Sequence, residues 1–95
     1  MHAGVMTEDQ PQPQDEAILQ LLQDRDGLPS EVLLRDGVAL TVFNIAWGYD
    51  IGDEYAHVTT NISPAVEGTT VDFFLTKSVA AILDPASGAV LLETP

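Results

Sequence analysis

From Glu31 onward the apolar residues come in short runs cut by turn dipeptides, and this limits the chain to an antiparallel sheet built from hairpins. The run EVLLRDGVALTVFNIAWGY (31–49) is rich in Val, Ile, Leu and aromatic residues, which suit a pleated backbone. Asp36-Gly37 lies inside it, where a two-residue type I′ turn requires positive φ. The spacing predicts a hairpin with strands at 31–35 and 38–49, in competition with a short helix for SEVLLRD after Ser30. The punctuation returns in LDPASGAVLLE (83–93), with Pro85 inside a turn, Gly88 at a position of positive φ and Val90 to Glu93 as the returning strand.

The stretch WGYDIGDEYAH (47–57) can be tested by register. A turn centred on Ile51-Gly52 pairs Trp47 with Ala56, Ile45 with Val58 and Phe43 with Thr60 on a largely apolar face. The other face pairs Ala46 with His57, Asn44 with Thr59 and Val42 with Asn61, and is mostly polar. One register thus sorts two strands into a buried and a wet side, as a half-buried antiparallel pair requires. A four-residue loop, Asp50 to Asp53, keeps that register and spares β-branched Ile51 a positive φ. ISPAVEGTT (62–70) reads as a loop, by Pro64 and Gly68. After it Val71, Phe73 and Leu75 alternate with Asp72, Phe74 and Thr76. Residues 78–84 fit a strand and also a helical stripe of Val79, Ile82 and Leu83 capped by Ser78; the hairpin that follows favours the strand.

Ahead of the sheet, Ile18, Leu21 and Leu22 fall at i, i+3, i+4, flanked by Ala17 and Leu19. This predicts a helix over 15–25, with Asp15 as its N-cap, Glu16 in the first turn, and Gly27 and Pro29 as its stop. Three turns are not stable alone, so the stripe must pack on the sheet. Residues 1–13, with TEDQPQPQ, read as a disordered acidic Gln/Pro tail, and 14–95 as one small domain. The expected fold is α+β in two layers: one N-terminal helix packed on an antiparallel meander of four to six strands.

Charge narrows the function. Fifteen acidic residues face three basic ones (Arg25, Arg35 and Lys77), for a net charge of −12. Phosphate backbones and anionic membranes are bound through Lys and Arg, so neither nucleic acid nor membrane is an expected partner. A basic protein surface is, although acidity also serves plain solubility. The chain has no cysteine, which excludes disulfides, thiolate metal sites and cysteine nucleophiles. The N-terminus has neither the basic nor the apolar region of a signal peptide, and no apolar run is long enough for a membrane span; the expected location is cytoplasmic.

Three groups of residues are candidates for function. Asp50, Asp53, Glu54 and His57 gather near a hairpin tip, where a hard cation would relieve repulsion between carboxylates. Their spacing does not match an EF-hand loop, and His57 falls on a different face from Glu54, so solvated turn carboxylates are the favoured reading and no metal is assigned. Asn44, His57, Thr59 and Asn61 are expected to project together from the wet face, where they could bind a small ligand with His57 as an acid or base, or simply face solvent. Trp47, Tyr49 and Tyr55 lie near the tip: Trp47 closes the core, while Tyr49 and Tyr55, with Asp50, Asp53 and Glu54, could anchor a partner. No catalytic set is found: no G-x-S-x-G, Walker, G-x-G-x-x-G or H-E-x-x-H motif occurs, the serines sit in turns or caps, and no cofactor is implied. The reading is a small acidic non-enzymatic module that engages a basic partner as an inhibitor, adaptor or mimic. The alternative is a ligand-binding or enzymatic domain around His57. The terminal AVLLETP strand, at a sheet edge, could also pair with a second copy.

Overall fold

The computed structural model describes residues 13–50, 52–61 and 70–94. The expected tail, apart from Pro13, and the loop at 62–69 lie outside them. Helix α1 spans Pro13–Asp24. It is followed by β1 (Ser30–Leu34), β2 (Ala39–Val42), β3 (Ile45–Gly48), β4 (His57–Thr60), β5 (Phe73–Leu75), a 3-10 turn (Thr76–Ser78), β6 (Val79–Leu83) and β7 (Val90–Glu93). Among the described residues the chain therefore forms the expected α+β class, with one helix ahead of the strands and packed on antiparallel sheet. Residues 79–83 are strand, and SEVLLRD forms strand over Ser30–Leu34 and then a turn, rather than a helix.

The strands divide into a four-stranded sheet, ordered β2-β1-β6-β7, and a three-stranded sheet, ordered β3-β4-β5. This is more strands than the four to six expected, and β1 pairs with β6 across the middle of the chain, which a simple meander does not do. The segment expected as one strand over 38–49 is broken at Phe43–Asn44, where the chain leaves the first sheet for the second. It returns through the 3-10 turn at Thr76–Ser78. The large apolar residues fall on even positions at Val38, Leu40 and Val42 and on odd positions at Phe43, Ile45, Trp47 and Tyr49, so the alternation changes phase where the chain leaves the first sheet.

Both hairpins near the chain's centre depart from the expected registers, each for a local reason. In the first, Gly37 N–H donates to Leu34 C=O at 2.9 Å and Leu34 N–H to Val38 C=O at 2.8 Å. The loop therefore has three residues, Arg35 to Gly37, with Gly37 alone at positive φ (+96°). That is a type I turn closed by a glycine bulge, in place of type I′, and it lets Asp36 keep an ordinary negative φ. Space is open around Gly37, so only its φ opposes a side chain. Gly37→Ala is expected to cost about 1 kcal/mol, read from the urea midpoint; an unchanged midpoint would contradict this turn.

In the second hairpin Trp47 pairs with Val58, Ala46 with Thr59 and Ile45 with Thr60, each partner two residues beyond the expected one. A shift of two keeps every side chain on its face, so the division into a buried and a wet side survives. The Asp50–Asp53 turn itself forms: Asp53 N–H donates to Asp50 C=O at 3.0 Å. What displaces the ladder is Ala56. Its N–H donates to the Asp15 carboxylate at 3.1 Å, and its C=O accepts from Thr76 N–H at 3.0 Å.

The helix packs on β3 and the 3-10 turn. Its buried face is Asp15, Ile18, Leu19 and Leu22, with Leu21 half-buried and Ala17 exposed. The apolar part closes on Val32, Val42, Ala56, Val58, Phe74, Val79 and Ile82, with Trp47 and Tyr49 packed at its margin. Burial of this apolar surface is what holds a helix of this length in place. The helix starts at Pro13, a residue suited to a first turn that needs no N–H donor. Asp15 is thus inside the first turn and is not the N-cap. Arg25 ends the helix: its Nε donates to Ser30 Oγ at 2.6 Å and its Nη2 to Pro29 C=O at 2.8 Å, and Asp84 lies 3.6 Å away.

Candidate functional site

The wet face of the three-stranded sheet is built by alternation on β4 and β5. Val58 and Thr60 point to the core, so His57 and Thr59 point outward; Phe74 points to the core, so Phe73 points outward. Register sets Thr59 beside Ala46 and Phe73, and His57 beside Gly48 and Leu75. The His57 ring lies over Gly48 and stacks on Phe73, with centroids 6.0 Å apart and planes at 22°. Its Nε2 is 3.7 Å from Asp50 Oδ1. Phe73 remains 63% exposed, and Val71, two residues earlier, is exposed as well. Adjacent Phe73 and Phe74 on an alternating strand must face opposite ways, so the sequence already required one aromatic ring to leave the core.

Of the four residues expected together on this face, His57 and Thr59 are there. Asn44 is half-buried at the crossing between sheets, and its C=O accepts from Asn61 N–H at 2.8 Å. Asn61 is turned inward, and the expectation that it shares the wet face is corrected. It has φ +58°, is 6% exposed and spends its amide on the backbone. Oδ1 accepts from Phe43 N–H at 2.8 Å, while Nδ2 donates to Thr41 C=O at 2.9 Å and Thr70 C=O at 2.7 Å. The left-handed backbone, which Asn tolerates better than most residues, breaks the alternation that the strand pattern assumed.

At the hairpin tip Asp50, Asp53 and Glu54 are exposed and Tyr55 is half-buried. Tyr49 is not an outward anchor. It packs at the core margin, meets Trp47 edge to face at 5.9 Å, and donates its hydroxyl to Asp15 Oδ2 at 2.5 Å. Among the described residues no three His, Asp or Glu side chains converge as metal ligands, and no helix is long and apolar enough to cross a membrane. Ser30, expected in a turn or cap, is a buried strand residue bonded to Arg25, and Ser87 accepts from Ala89 N–H within the last hairpin.

Two residues that sequence reasoning passed over flank the face. Lys77, in the 3-10 turn, and Arg35, in the first hairpin loop, line one open cleft of 360 Å³ with Leu34, Phe73 and Ser78. On the other side of Lys77 a cleft of 220 Å³ is lined by Asp53, Glu54, Tyr55 and Leu75. The pairing of β1 with β6 brings Arg35 to Lys77, and nothing in the local sequence announces it. No protein-family model, curated protein or solved structure matches the chain.

Proposed function

We propose that the chain is a small non-enzymatic interaction module whose docking surface is the outer face of β3-β4-β5 together with the acidic hairpin tip. The observation that carries this reading is Phe73: a large ring, 63% exposed, stacked on His57, whose imidazole lies near Asp50. An aromatic centre with a charged rim is the pattern of a binding hot spot. The partner is a protein surface with an apolar centre and basic residues at its edge. The tip supplies three exposed carboxylates at short range. Exposed Glu16, Asp24, Asp26, Asp36 and Glu93 add to a long-range field that speeds encounter with a basic partner. The ligand-binding alternative loses Asn61 to the backbone.

The test uses the full chain as bait in native lysate, beside Phe73→Ala and a tip variant, Asp50→Asn/Asp53→Asn/Glu54→Gln. All four positions are exposed, so the variants keep the fold. The expected result is one partner, released by moderate salt and captured about tenfold less by each variant. Equal capture by wild type and both variants, or an empty lane at low salt, would sink the proposal.

A further inference from the structure

Within that docking surface, we propose that the 3-10 turn Thr76–Ser78 is a ridge that selects a polypeptide segment of mixed charge. Its Lys77–Arg35–Phe73 side receives a carboxylate carried next to an apolar side chain, and its Asp53–Glu54 side receives a cation. The inference rests on the docking reading above and adds the chemistry of the partner.

The chain has three cations against fifteen acids, and Arg25 is committed to Ser30, Pro29 and Asp84. The other two line the same cleft. Arg35 is held there: Nε donates to Lys77 C=O at 3.1 Å and Nη2 to Thr94 Oγ1 at 2.9 Å. Lys77 is exposed and forms no ion pair among the described residues. Asp36 also lines the cleft, but its Oδ1 accepts from Val38 N–H at 3.0 Å within its own turn. Lys77 is the residue common to both clefts, so the positive and negative recesses share one wall. A carboxylate seated between the two cations makes charge-assisted hydrogen bonds, and its apolar neighbour covers Phe73. A polyanion meets the −12 of the whole chain, whereas a single carboxylate beside neutral or basic residues meets these two charges most strongly, since charges farther off than about 8 Å are largely screened in physiological salt. That favours a protein segment over nucleic acid.

The test is selection of a phage-displayed library of random linear peptides on the intact protein in physiological salt. Selected peptides are expected to share an Asp or Glu beside a Leu, Ile or Phe, with a Lys or Arg farther along. Their binding should fall about tenfold on Lys77→Glu. Selection on Lys77→Glu itself should replace the acidic residue with a basic one. Purely basic peptides, indifferent to Lys77→Glu and lost with Asp53→Asn/Glu54→Gln, would overturn this inference and leave the docking surface standing. A library that yields no enriched peptide overturns this inference, and the docking surface then stands or falls by capture from lysate.

Discussion

Asp15→Ala is expected to destabilise the protein by about 3–5 kcal/mol. The carboxylate is 0% exposed and accepts three hydrogen bonds: from Thr76 Oγ1 at 2.5 Å, Tyr49 Oη at 2.5 Å and Ala56 N–H at 3.1 Å. Thr76 and Ala56 are buried, so their donors have no water to turn to once the acceptor is gone. Each buried orphan costs about 1–3 kcal/mol, and the cavity adds to that. In a domain this size each kcal/mol moves Tm by roughly 4–8 °C, so the expected fall is about 12 °C or more. Smaller changes calibrate it. Tyr49→Phe leaves the carboxylate with two donors and removes a half-buried hydroxyl, for about 1 kcal/mol. Asp15→Asn keeps one acceptor for Ala56 and Tyr49 and can donate to a rotated Thr76 hydroxyl, for about 1–2 kcal/mol. If Asp15→Ala costs no more than Tyr49→Phe in urea titration, the carboxylate does not hold the helix to the sheet.

This result bears on how far the fold can be read from sequence. The helix, the antiparallel hairpins and their wet and buried faces were legible because period and turn chemistry are local: Ile18 and Leu22 sit on one face, Asp50–Asp53 closes a turn, and Val58 and Thr60 share a side. Asp15 was legible as a helix-start residue and not as a core residue, because its partners Tyr49, Ala56 and Thr76 are distant in the chain. Yet it stands at i−3, i−4 and i−7 from Ile18, Leu19 and Leu22, a stripe position that a helical wheel marks as buried. The Phe43–Asn44 break is marked locally only by the change of phase between Val42 and Phe43, while the assignment of the strands to two sheets rests on the β1–β6 pairing, which depends on which distant strand lies alongside. The same distance hid the meeting of Arg35 and Lys77. Alternation puts Asn44, His57, Thr59 and Asn61 on one face; it holds for His57 and Thr59 and ends where Asn61 turns left-handed.

Asn61 does for the first crossing between sheets what Asp15 does for the second, and its substitutions should rank by hydrogen-bond polarity rather than by size. Asn61→Gly keeps the φ of +58° and loses three side-chain hydrogen bonds, for about 2 kcal/mol. Asn61→Ala adds the strain of a left-handed residue, about 1 kcal/mol more. Asn61→Asp, nearest in shape, is expected to be the worst of the three, at about 3 kcal/mol or more. Its second oxygen would take the place of Nδ2, which now lies 2.9 Å from Thr41 C=O and 2.7 Å from Thr70 C=O. Two donor–acceptor contacts would become contacts between oxygens, one of them charged. The charged form is the one disfavoured, so lowering the pH should protonate that carboxyl, restore a donor and narrow the gap between the Asp and Gly variants. Urea midpoints of the three variants at neutral and mildly acid pH decide the matter. An Asp variant as stable as the Gly variant at neutral pH would mean that the two carbonyls do not face this amide. The Asn44–Phe43 crossing would then need another clamp, and Asn61 would be free again for the ligand role that its present bonds deny it.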